Sequence, residues 1–161
     1  MDSDIQETKI ELGPNEVYEA ALRYLSRREY SRLELEQKLR LKCRDQSVLD
    51  AVQQRVQSQG YQSDERYAMM ILRSLYTRGS GPDKARQKLQ QSRIASTLIQ
   101  QCLSEFDGDW FELAAQIRAK RFGTEVPDDF QERAKQMRFL AGRGFNREQI
   151  EFALEEGAGA E

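Results

Sequence analysis

The 161-residue chain contains no histidine and two cysteines, Cys43 and Cys102. Imidazole acid–base and triad chemistry are therefore excluded from the start. The two thiols share no CxxC spacing, and without imidazole ligands a zinc site is not expected. Cys43 reads as a thiol near the surface and Cys102 as a small core residue. Asp128 and Asp129 have the residue types for metal or general-acid work. Their place beside Pro127 at a helix start fits capping better, since acids there complement the helix dipole. Gly79-Ser80-Gly81 has neither the lysine nor the preceding strand of a phosphate-binding loop and reads as a turn. No catalytic, cofactor or metal site is expected.

Cations are what remains. The formal net charge is only -2, but it is unevenly placed. Residues 1–20 hold six acids and one base, whereas residues 21–44 hold eight bases and three acids. Arg23, Arg27 and Arg28 fall on or near the first predicted helix, and Arg32 and Lys38 on the second. Lys84, Arg86 and Lys88 take matching places further on, as do Arg133, Lys135 and Arg138 later still. A run of charge on a helix is commonly just a solvated face. Recurrence of the same basic signature argues for more. Stacked units would line such faces along one side, where they suit phosphate or an acidic protein groove.

The elements that must position these residues are all helical, because no segment alternates with period two. Val17, Ala20, Ala21, Tyr24 and Leu25 give the first helix (about 15–28) an apolar face at helical spacing. The second opens at Ser31, where Ser31 and Glu34 make a capping box and Tyr30 and Leu35 a hydrophobic staple. The third is expected to open on a capping box of Ser47 and Asp50, and to end at Gly60. The fourth opens at Ser63 or Asp64. Pro82 suits the first turn of the fifth. The sixth carries Leu98, Ile99, Cys102 and Leu103; the seventh Trp110, Leu113, Ala114 and Ile117. The eighth opens at Asp128 or Asp129, with a predicted stripe of Phe130, Ala134, Met137 and Leu140. Phe145 and Asn146 repeat the staple and cap before the ninth. No apolar run approaches the ~20 residues needed to span a membrane, and no secretory leader is visible, so a cytoplasmic protein is expected.

The nine helices repeat. With Leu39, Leu89 and Leu140 as anchors, Leu49, Ile99 and Ile150 follow at one offset. Val52, Cys102 and Ala153 follow at another. At a third offset stand Ile94 and Phe145, with Arg44 as the exception. The fold class is therefore all-α, built of tandem three-helix units that must stack to bury their faces, giving an elongated, curved array. The expected parts are an acidic, loose segment 1–14, units at 15–60, 61–107 and 108–155, and a frayed tail 156–161.

The chain resembles the RecX family of recombination regulators. The likeness runs over about residues 17–155. It rests on Ala21-Leu22-Arg23-Tyr24-Leu25, on Tyr30-Ser31 with Glu34-Leu35 and Lys38-Leu39, and on Gly60-Tyr61 with Asp64, Arg66, Tyr67 and Ala68. It continues through Gly81-Pro82 with Ala85 and Leu89, and Arg138-Phe139-Leu140 with Arg143-Gly144-Phe145. Two departures stand out: Gln62-Ser63 in place of an apolar–acidic pair, and Arg93 where the family tends to have glycine before Ile94. The resemblance implies a monomer of tandem three-helix repeats that acts on the RecA recombinase. It implies binding along the groove of the RecA–DNA filament, with lowered ATP hydrolysis and strand exchange and no catalytic centre of its own. Contact with single-stranded or duplex DNA is a further expected interaction. A nucleic-acid-binding module or an adaptor with other partners, acting through the basic stripe, is the alternative.

Overall fold

The computed structural model describes residues 11–155, so the predicted frayed tail and most of the acidic leader lie outside the described residues. Among the described residues there are nine α-helices and no strand. They are α1 (Pro14–Arg27), α2 (Arg32–Arg40), α3 (Gln46–Ser58), α4 (Asp64–Thr77), α5 (Pro82–Gln91), α6 (Ser96–Glu105), α7 (Trp110–Phe122), α8 (Phe130–Gly142) and α9 (Arg147–Glu155). The chain divides into two compact units, with the break between Tyr67 and Ala68. Apart from residues 61–67, the second and third predicted units fall within one compact unit beyond that break.

The repeat register describes the core. Leu39, Leu89 and Leu140 are fully buried, as are Leu49, Cys102 and Ala153. Val52, Ile99, Ile150, Ile94 and Phe145 are buried too. Arg44, the departure, is exposed, and its neighbour Cys43 is buried. Cys43 is thus a core residue rather than a near-surface thiol.

In the first unit α1 packs on α3, and α2 on both, around Val17, Ala20, Ala21, Leu35, Leu39 and Val56. Residues 11–13 are tied down: the Leu12 amide donates to the Lys42 carbonyl at 3.0 Å, and Leu12 packs on the core. The cap of α3 differs from expectation. Asp45, not Ser47, is the N-cap, accepting from the Ser47 amide at 3.0 Å and the Ser47 hydroxyl at 2.6 Å. A carboxylate one turn-start earlier outcompetes the hydroxyl for the first free amides.

In the second unit α7 packs along α9, and α8 on both, around Leu113, Ala114, Leu140, Phe145, Ile150 and Leu154. Tyr76, Phe106 and Trp110 form an aromatic cluster with centroids 5.1–5.4 Å apart. It joins the ends of α4 and α6 to the start of α7. The stripe of α8 is rotated from the predicted one. Phe130 is 82% exposed and Met137 is exposed, while Gln136 and Leu140, one turn apart, are buried. A polar residue can take the inner face here because Gln136 meets the buried guanidinium of Arg118 at 3.3 Å. An apolar count along α8 does not register that exchange.

Two helix ends in this unit meet directly. The Gly81 amide donates to the Arg143 carbonyl at 2.8 Å, and the Asp83 amide to the Gly144 carbonyl at 2.9 Å. Carbonyls left over at the end of α8 thereby satisfy amides left over at the start of α5. Pro82, between the two donors, has no N–H to place. The approach demands glycines: a Cβ on Gly81 would run into the Gly144 carbonyl, and Gly144 itself has φ +97.

Candidate functional site

In the first unit the turn between α1 and α2 is held by a built polar network. Ser31, fully buried, caps α2 by accepting from the Glu34 amide at 3.1 Å. Glu34 does not reach back to close the predicted box. One carboxylate oxygen accepts from Arg28 at 3.0 Å and the other from the Tyr67 hydroxyl at 3.0 Å. The buried Gln62 donates to the Tyr30 carbonyl and to Asp64. Asp64 in turn accepts from the Arg32 amide at 2.9 Å, and Gln53 donates to the Arg32 carbonyl at 2.8 Å. The polar Gln62 is thus the hub that ties this turn to the start of α4.

Arg32 is therefore fixed at both backbone groups while its side chain projects from the surface. Arg28 is a different case. Its guanidinium lies 3.7 Å from the Tyr30 ring centroid and pairs with Glu34. Partial burial pulls its pKa down, but the hydrogen bond and charge of Glu34 outweigh that, and the net shift is upward. Lys42 lies 5.3 Å from the Tyr24 ring, which in turn tilts against Tyr30 at 5.9 Å. Arg28 and Lys42 are thus spent on aromatic faces. Arg23 and Arg27, one turn apart on α1, share a face. Together with Arg32 and Lys38 they are exposed and form no ion pair among the described residues.

The later cations are spread around their helices. At about 100° per residue, Lys84 and Lys88 share a face of α5 and Arg86 points elsewhere, pairing with Asp83 at 2.8 Å. The stem of Lys84 covers Gly144. On α8, Arg133 is half-buried, and exposed Lys135 reaches within 5.9 Å of the Phe122 ring. Arg138 is exposed. Spacing by two sends Arg86 away from Lys84 and Lys88, and Arg133 away from Lys135, whereas Lys135 and Arg138 share a face.

Two things escaped the sequence reading. Arg118 is wholly buried, and burial lowers its pKa. It donates to the carbonyls of Ala153 at 2.7 Å and Glu125 at 3.1 Å, and to Gln136. Nothing but its place on α7 between Ala114, Ala115 and Phe122 distinguishes it from a surface arginine. In addition Arg78, Lys120, Arg121 and Arg143 share one cleft of the second unit; the adjacent Lys120-Arg121 was the available signal. No group of acids and thiols suited to a metal ion occurs among the described residues. The site offers exposed cations, one of them on a backbone fixed from both sides.

Comparison with known proteins agrees with this layout. Family models for the first, second and third three-helix domains of RecX match residues 18–55, 63–103 and 107–154. The regulatory protein RecX of Acinetobacter baylyi is 36% identical over 149 residues, covering 92% of both chains. That of Vibrio cholerae is 42% identical over 137 residues, covering 85% of this chain and 90% of the relative. The crystal structure of RecX from Lactobacillus salivarius has the same fold, with a TM-score of 0.76 at 21% identity, covering 89% of this chain and 95% of that one. With all three domains in order and identity of this level over nearly the whole length, the chain belongs to the RecX family.

Proposed function

We propose that this chain is a regulator, not an enzyme, and that it binds the RecA–DNA filament along its groove. There it restrains recombinase ATP hydrolysis and strand exchange, as a cytoplasmic monomer. The observation that carries the reading is the Gln62–Asp64 network, which with Gln53 fixes the backbone of exposed Arg32, while Arg23 and Arg27 stand exposed and unpaired on α1 of the same unit. Fixing the backbone that carries a cation lowers part of the entropic cost of docking on an acidic surface. Lys38 in the first unit, and Lys84, Lys88, Arg133, Lys135 and Arg138 in the second, are further candidate contacts. The relatives named regulatory protein RecX support the regulatory part.

The test is ATP hydrolysis by RecA on single-stranded DNA, with and without this protein. Suppression is expected, and a variant with Arg23, Arg27 and Arg32 all changed to Glu should need at least about tenfold more protein for equal effect. Its helicity by circular dichroism should be unchanged. No suppression by an excess of the native chain would overturn the proposal.

A further inference from the structure

The second unit carries a cleft of about 640 Å³ between the end of α4, one side of α7 and the end of α8. Arg78, Lys120, Arg121 and Arg143 line it, with Phe139 and Ile117 as apolar wall, and no carboxylate is among its lining residues. The volume is within the ~300–1,000 Å³ typical of small-ligand sites.

Two of the cations are held by hydrogen bonds, and Arg121 also lies 5.7 Å from the Phe122 ring centroid. Arg143 donates to the Arg78 carbonyl at 3.1 Å, and its buried Nε has no hydrogen-bond partner. Arg78 donates to the Ser74 hydroxyl at 2.8 Å. Lys120 and Arg121 are exposed and form no ion pair among the described residues. The Arg121 and Arg143 guanidiniums lie 5.9 and 6.0 Å from the centroid of half-buried Phe139. Four like charges around one concavity repel one another, and an anion there relieves that.

We infer that this cleft binds a nucleotide unit, its phosphate held by the four cations and its base against Phe139. Guanidinium forks match phosphate oxygens in pairs. An aromatic wall beside a cationic track is how base and backbone are held together without sequence preference. Phe139 packs edge to face with Phe122 at 5.2 Å and still lines the cleft, and an acidic peptide would satisfy the charge without using that ring. The unit could be free or part of a single strand, since both present the same phosphate and ring. The inference is independent of the filament reading, because the cleft is read from the second unit alone.

The test is fluorescence anisotropy of the full-length chain with two probes, a fluorescent ATP analogue and a labelled short oligodeoxythymidylate. Saturable binding of at least one is expected, and the responding probe identifies the source. Changing Lys120 and Arg121 both to Glu should weaken it at least about tenfold. The milder change of both to Gln should weaken it in the same direction if the first variant loses helicity. Changing Arg44 and Arg73, exposed cations that do not line the cleft, to Glu alters net charge equally and should leave binding within about twofold of native. Failure of both probes to bind, equal loss in the cleft variant and the Arg44 and Arg73 control, or equal competition by polyglutamate would each overturn the assignment.

Discussion

The Nε–H of Arg118 donates to the carbonyl of Ala153 at 2.7 Å, carrying a guanidinium from α7 to α9 through the interior of the second unit. No carboxylate partners it there; its acceptors are two backbone carbonyls and the Gln136 amide oxygen. An arginine retains its charge even when burial lowers its pKa. Replacing a complete buried ion pair by apolar residues is often harmless, but replacing Arg118 alone strands its acceptors.

Arg118→Met should therefore cost about 2–4 kcal/mol in urea unfolding. Arg118→Lys should recover little of this, since one ammonium cannot reproduce a fork that spans three acceptors. A loss under ~1 kcal/mol for Arg118→Met would mean that relief of the buried charge offsets the lost hydrogen bonds.

Arg93 has φ +54 and follows α5 where Gly144, at φ +97, follows α8. In both places the next amide closes back onto the anchor leucine: Ile94 to Leu89 at 3.0 Å, and Phe145 to Leu140 at 3.2 Å. Arginine pays a steric cost in that conformation that glycine does not. Part of the gain from glycine is lost to its freer unfolded chain. Arg93→Gly should raise stability by about 0.5–1 kcal/mol, read as a higher urea midpoint with unchanged slope. A lower midpoint would mean that the arginine side chain contributes more than its backbone strain costs.

The Ser47 hydroxyl, with the amides of Ser47 and Val48, holds the Asp45 carboxyl below the usual carboxylate range. A depressed folded value stabilises above the unfolded pKa of about 3.9, and the contribution fades as pH falls through the folded value. Ser47→Ala should raise the titration of Asp45 toward that ordinary value, so that acid loss of α3 begins at higher pH. Carboxyl-carbon NMR titration reads this directly. An unmoved Asp45 midpoint would assign the depression to the amides alone.

Much of the fold was legible because its signals are local. Helical spacing, Ser31, Asp129 and Pro82 all act within a turn of themselves, and the leucine anchors mark the buried face of each helix. What the sequence did not disclose depends on partners far along the chain. Glu34 abandons its local box because Arg28 and Tyr67 arrive from other elements. Gln136 displaces Met137 from the inner face of α8 because Arg118 is there to receive it. The same holds for function. Arg23, Arg27 and Arg32 stood out by density along the chain, whereas the cleft cations are dispersed from Arg78 to Arg143 and meet only after folding.

The glycine junction has a consequence for how the chain acquires its structure. Gly81 and Arg143 are far apart in sequence, yet the start of α5 gains its backbone partners only when the end of α8 arrives. Closing so long a loop is slow relative to forming a helix, and its entropy is repaid only on contact. Residues 81–144 should thus acquire native hydrogen-exchange protection in one step, despite a sequence that reads as separable modules. Repetition in the sequence and cooperativity in folding follow different boundaries in this chain.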